Sequence, residues 1–142
     1  MILLVATVKP FAPGATDDIK AIAEKEGHQV RILEKYDGQE ALKDAVKDVH
    51  ALIIRSDKVT REIIEAAPNL KIVVRAGAGY DNVDLEAASE KGIVVMNTPG
   101  QNSNAVAELA LGMMVFHARS HFNGKAGTEL RNKTLGIHAY GN

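Results

Sequence analysis

With 142 residues, 46% hydrophobic and 25% charged, the chain carries enough apolar material for about one domain with a real core. Its formal net charge of −1 supplies no broad field to attract nucleic acid or an anionic membrane, so neither is expected as a partner. The absence of cysteine excludes a disulfide framework and thiolate metal sites, and it suits a reducing compartment.

The apolar opening Ile2–Val8 is too short to span a bilayer and lacks a basic leader. It reads as a first strand ended by Lys9-Pro10, and the protein is expected to be cytoplasmic. Thr16 is placed to cap a helix with Asp17 and Asp18 in its first turn, Ile19, Ile22 and Ala23 inward, and Gly27 as its stop. Gln29–Leu33 is the second strand. Gln39–Val49 is a helix burying Leu42, Ala45 and Val46, and Ala51–Ile54 is the third strand. Thr60–Ala67 reads as a helix stopped by Pro68-Asn69. Leu70–Val74, Leu85–Lys91 and Ile93–Met96 then read as strand, helix and strand, with Asn82 or Asp84 as cap and Gly92 as stop.

Strands separated by helical stretches predict βαβ units and a parallel sheet. Five such units make an α/β, flavodoxin-like, doubly wound domain. About Ser103 to Ser120 the longest helix carries Val106, Leu109, Met113 and Phe116 with little polar face. A helix apolar almost all round is expected to be buried on more than one side, between two domains or two subunits. Beyond a polar, glycine-containing stretch, Lys133–Ile137 restarts a strand followed by His-Ala-Tyr-Gly-Asn. The chain is thus expected to comprise residues 1–100 as an incomplete sheet domain, then 101–142 as a linking helix and the truncated start of a Rossmann domain.

The chemistry gathers around Val73–Asp84. Two β-branched residues close a strand, and Gly77 and Gly79 allow close backbone approach beside Arg75. Arg55-Ser56-Asp57-Lys58 leaves the third strand at the same sheet edge, where open α/β sheets bind ligands. Converging guanidiniums and an ammonium suit a phosphate or carboxylate through charge-assisted bonds. Asp57 also sits where phosphate-accepting receiver domains carry their aspartate. Thr7-Val8-Lys9-Pro10 holds no acidic pair for Mg²⁺, and that reading falls. His117 and His121 have the helical spacing of a metal face but no third ligand, so no metal is expected.

Four stretches together resemble the D-isomer-specific 2-hydroxyacid dehydrogenases. They are Arg-Ala-Gly-Ala-Gly-Tyr-Asp-Asn-Val-Asp from Arg75, Val-Met-Asn-Thr-Pro-Gly-Gln-Asn-Ser from Val95, Ala107-Glu108-Leu109, and Gly-Thr-Glu-Leu-Arg-Asn-Lys-Thr-Leu-Gly from Gly127. Within that family the likeness is to the branch that oxidises 3-phosphoglycerate. The resemblance implies hydride transfer from C2 of 3-phosphoglycerate to NAD, giving 3-phosphohydroxypyruvate on the route to serine. It places Arg55, Ser56 and Arg75 toward substrate, with the Gly77 and Ala78 amides on its carboxylate. It also sets Ala78 beside the nicotinamide, Gly141 and Asn142 against the pyrophosphate, and Asn102 near the cleft. The long helix would hinge the domains and form a homodimer.

Two departures follow from the same resemblance. Ala139 stands at the first fingerprint glycine, which requires that residue to keep a negative φ. The family's catalytic arginine, glutamate and histidine fall beyond Asn142, as does the segment that returns to complete the first domain. The 142 residues alone are therefore expected to have no turnover. The alternatives are an NAD-binding, dehydrogenase-like corepressor and a dehydrogenase for another D-2-hydroxy acid.

Overall fold

The computed structural model describes residues 1–138 and Gly141. Five strands alternate with helices: β1 Ile2–Thr7, α1 Ala15–Lys25, β2 Gln29–Glu34, α2 Gly38–Ala45, β3 Ala51–Ile54, α3 Arg61–Glu65, β4 Ile72–Arg75, α4 Leu85–Glu90 and β5 Val94–Asn97. The strands form one parallel sheet in the order β2-β1-β3-β4-β5, the flavodoxin-like arrangement. The chain divides into two compact units, Met1–Pro99 and Gly100–Asn142.

Strand side chains alternate between the two faces of the sheet. On one face Leu4, Ala6, Leu52, Ile54 and Val73 join the main core with Leu42 of α2, Ile63 and Ile64 of α3, and Ala87 and Ala88 of α4. Complete burial of such aliphatic side chains contributes roughly 1.5–3 kcal/mol apiece. Toward the sheet's other end, β5 exposes Val94 and Met96 to solvent at 55% and 52%. Parallel strands are ordinarily covered on both faces, so this apolar edge is bare for its class.

Several boundaries differ from the sequence expectation, each for a local reason. Thr16 does not cap α1; Gly14, at φ 84°, takes the N-cap position in a turn begun by Pro13. The helix turns Ala15, Ile19 and Ala23 inward at spacings of four, so Ile22 lies off that row and is exposed. Helix α2 ends at Ala45, although Val46 and Val49 remain buried; the apolar period continues through a turn closed by Val49 N–H onto the Val46 carbonyl. Asp84 caps α4, accepting the Ala87 N–H at 2.9 Å, whereas Asn82 is engaged elsewhere.

In the second unit, α5 (Ser103–Ala118) leads into a short 3₁₀ turn, Ser120–Phe122. The expected burial of α5 is not met in the single chain: none of its residues is buried, and Leu109 and Met113 are 63% and 60% exposed. An apolar helix finds cover only where another surface is supplied. Lys133–Ile137 forms no strand, because a strand exists through its ladder and no described residue pairs with this segment. Ala139, Tyr140 and Asn142 lie outside the described residues, so the fingerprint positions at Ala139 and Asn142 do too.

Candidate functional site: an anion-suited edge of the sheet

Register brings the site residues together. Ile54 of β3 stands opposite Arg75 of β4, and Arg75 opposite Asn97 of β5. Arg55 and Arg75 therefore leave neighbouring strands at the same carboxyl edge, one residue out of step. Arg55 is exposed, and its Nη1 donates to the Pro10 carbonyl at 3.0 Å. Ser56 is exposed beside it.

Arg75 is half-buried, and its Nε is buried without a hydrogen-bond partner. Its guanidinium folds over Gly77, where a Cβ would lie 1.5 Å from Nη1 and 2.4 Å from Cζ. Gly77 is thus required by an overlying side chain; its φ is not left-handed. The Gly77 N–H donates to the Arg75 carbonyl at 2.8 Å, closing a three-residue turn. The expectation places this amide toward a substrate carboxylate; in this structure its proton is engaged by the Arg75 carbonyl. Among the described residues the amides of Ala78 and Gly79 have no protein acceptor and stay available.

The loop is pinned from β5. Asn97 Nδ2 donates to the Ala78 carbonyl at 2.7 Å, and the Thr98 N–H donates to the Gly77 carbonyl at 2.9 Å. A cleft of about 230 Å³ beside it is lined by Tyr80, Leu85, Val95, Met96 and Asn97. It offers an apolar wall next to the cationic edge.

Asp57 was not singled out by sequence reasoning except as a discarded phosphate acceptor. It is buried at 7% exposure, and its Oδ1 accepts from the Val8 N–H at 2.8 Å and from the Tyr36 hydroxyl at 2.7 Å. Burial, and secondly the bond to the Asp57 carboxylate, push the Tyr36 hydroxyl well above the ordinary phenol range. Nothing in Arg-Ser-Asp-Lys distinguishes a buried acid from a solvated one; the available signal was its position, one turn after a buried strand.

The other candidates belong to the second unit. Asn102 is the N-cap of α5 in the second unit, without a side-chain capping bond. Gly141 is exposed, with no atom within 4 Å of where a Cβ would stand. His117 and His121 have ring centroids 5.6 Å apart, but His121 sits at φ 58° beyond the helix. Among the described residues no group of three metal-ligating side chains forms.

The model of the D-isomer specific 2-hydroxyacid dehydrogenase catalytic domain matches residues 5–140. The chain belongs to this family. It is 46% identical over 118 residues to hydroxypyruvate reductase from Thermotoga maritima, covering 73% of this chain and 39% of that protein. D-3-phosphoglycerate dehydrogenase from Methanocaldococcus jannaschii is 44% identical over 117 residues, 72% of this chain and 22% of its own. Among solved structures, NAD⁺-bound 3-phosphoglycerate dehydrogenase from Entamoeba histolytica superposes with a TM-score of 0.89 at 52% identity. That match covers 94% of this chain and 44% of the other. The chain therefore spans well under half the length of these relatives. NAD is the cofactor of these dehydrogenases, and no helix among the described residues is long and apolar enough to cross a membrane.

Proposed function

We propose that the chain is the substrate-side portion of an NAD-dependent D-3-phosphoglycerate dehydrogenase. One observation carries this reading: two arginines at the ends of adjacent strands flank a loop with unpaired amides. In this reading Arg55, Ser56 and Arg75 hold the phosphate and carboxylate of 3-phosphoglycerate. The Ala78 and Gly79 amides supply further donors, and the unpartnered Arg75 Nε gains an acceptor when the ligand arrives. Fixed donors on both charged ends leave C2 of the substrate oriented rather than tumbling.

NAD, when bound, accepts the hydride from C2. By resemblance to the family, Ala78 borders the nicotinamide and Gly141 meets the pyrophosphate, where glycine carries no side chain to obstruct close backbone approach. Asn142 completes that assignment by resemblance to the family. Residues 1–100 act as the substrate-binding domain, and 101–142 as the linking helix and the beginning of the cofactor domain. Helix α5 supplies the face of a homodimer, because its exposed Leu109, Met113 and Phe116 call for an apolar partner. The protein works in the cytoplasm, apart from nucleic acid and membranes.

The Thermotoga relative favours a second reading, a reductase for an unphosphorylated hydroxy-oxo acid such as hydroxypyruvate. Titration of the chain with 3-phosphoglycerate and with D-glycerate separates the two. The first reading expects 3-phosphoglycerate to bind at least about tenfold more tightly, the worth of one charge-assisted contact. Equal affinities favour the second. With NAD added, the 142 residues alone are expected to form no reduced nicotinamide, because no acid–base group of theirs is assigned to the reaction.

A further inference from the structure

The two loops that carry the proposed substrate contacts are joined to one another, and the joint centres on one residue, Asp57. Asp57 follows Arg55 by two residues and is the charged side chain that the first unit buries. A buried carboxylate is costly unless it is bonded; Oδ2 is buried with no partner among the described residues, so the two donors on Oδ1 hold the group in place. Oδ1 takes the Val8 N–H from the end of β1 at 2.8 Å and the Tyr36 hydroxyl from the β2–α2 connection at 2.7 Å. Its main-chain carbonyl takes Asn82 Nδ2 from the β4–α4 loop at 2.6 Å.

The joint continues through the backbone. The Val59 N–H donates to the Asn82 carbonyl at 2.8 Å, and the Asp84 N–H donates to the Val59 carbonyl at 2.9 Å, forming a parallel bridge between Val59 and Val83. Arg55 and Ser56 thus hang between two anchors, Ile54 in the sheet and Asp57 in the joint. Gly77, Ala78 and Gly79 hang between Arg75 in the sheet and Asn82 in the same joint. Both stretches are short, so little slack remains in either.

We propose that Asp57 is a positioning residue for the anion site: its main-chain carbonyl, taking Asn82 Nδ2, latches the Arg55–Ser56 segment to the Gly77–Asn82 loop, its carboxylate anchors that latch to Val8 and Tyr36, and together they fix the spacing of the two arginines. The proposal rests on the reading that this edge binds 3-phosphoglycerate. Asp57 touches no ligand in it; it acts through Arg55 and through the glycine loop. The exposed guanidinium of Arg55, bonded to Pro10 from across the β1–β3 gap, depends on where Asp57 holds its backbone.

The test uses the 142-residue chain with 3-phosphoglycerate as probe, in wild type, D57N, D57A, R55A, D57A/R55A and N82A. D57N keeps an acceptor for Val8 and Tyr36, and is expected to bind within about threefold of wild type, whereas D57A loses about tenfold or more. In the R55A background the added D57A substitution is expected to cost less than it does in wild type, since the latch then has only the glycine loop and Arg75 to place. Equal losses from D57A with and without Arg55 would mean a merely structural role and would overturn the proposal, as would failure of D57N to restore binding. N82A cuts the loop-to-loop bond while sparing the carboxylate, so it serves if D57A does not fold; unchanged affinity there also overturns the latch. Amide resonances give a readout independent of ligand. Substitution of Asp57 is expected to shift Arg55–Thr60 and Gly79–Asp84 together. If wild type binds no 3-phosphoglycerate while those resonances move together, the substrate reading has failed and the mechanical coupling stands. If only Val8 and Tyr36 move, the coupling itself is refuted.

Discussion

The Arg75 guanidinium lies directly over Gly77, close enough that a methyl group at position 77 would overlap Nη1. The contact is with the far end of a flexible side chain, and the Gly77 backbone is one that L-residues adopt. Gly77→Ala should therefore leave the fold intact and push the guanidinium away. Its expected effect is about a tenfold loss in 3-phosphoglycerate affinity, with the unfolding free energy changed by less than about 1 kcal/mol. Calorimetric titration beside urea denaturation measures both; a large stability loss with unchanged binding would contradict this account.

Tyr36 links stability to alkaline pH. Its folded-state pKa is raised above the ordinary 10.0 by burial and by Asp57. Below that ordinary value the hydroxyl is neutral in both folded and unfolded chains, and its bond to Asp57 contributes in full. As pH rises past it, the unfolded chain releases a proton that the folded chain retains, so folded stability falls. Tyr36→Phe should cost about 1–3 kcal/mol near neutrality, and the gap to wild type should narrow above about pH 10. Urea midpoints of the two proteins across that range provide the comparison, and a gap that widens with pH would reverse the sign.

Asp84 begins α4, accepting the Ala87 N–H and placing a negative charge at the helix's amino end. Asp84→Ala should destabilise the chain by about 1 kcal/mol, typical of a lost cap. The backbone bond from Asp84 N–H to Val59 survives that change, so 3-phosphoglycerate affinity should stay within about twofold once the protein is folded. Thermal denaturation and titration of the variant test the separation of the two effects.

Helix α5 exposes Leu109 and Met113, and the proposed homodimer covers them. Leu109→Lys and Met113→Lys should abolish self-association while leaving the melting of Met1–Pro99 near wild type. Sedimentation equilibrium across a range of concentrations reads the first, and calorimetry the second. Variants that still dimerise would move the interface off this helix.

The sheet was legible because its strands are short apolar runs bounded by Gly, Pro and Asn, and four successive βαβ units leave few topologies. Arg55 and Arg75 were legible as neighbours for the same reason: strand ends in a parallel sheet share an edge. What was hidden depended on partners distant in sequence. Asp57 finds Val8 and Tyr36 across 49 and 21 residues, and no local pattern marks an acid as buried. Asn82 resembled a cap because its side chain suits one, yet its amide serves Asp57 while Asp84 takes the helix end. Gly77 was read as offering its amide, but a three-residue turn claimed the proton. Lys133–Ile137 carried strand propensity that becomes a strand only beside a neighbour.

The bonds from Asn97 and Thr98 to the glycine loop bear on the order in which the molecule is made. A growing chain acquires β1, β2 and β3, and with them Arg55, well before β5 exists. Arg75 and Gly77 follow, with the far end of their loop held at Asn82 by the Asp57 joint, but the Ala78 carbonyl stays ungripped until Asn97 emerges. The nascent protein thus owns a cohesive scaffold first and a binding edge last. A nascent chain that has emerged from the ribosome only to a few residues before Asn97 would display four strands with the Ala78 carbonyl of its anion loop unfastened.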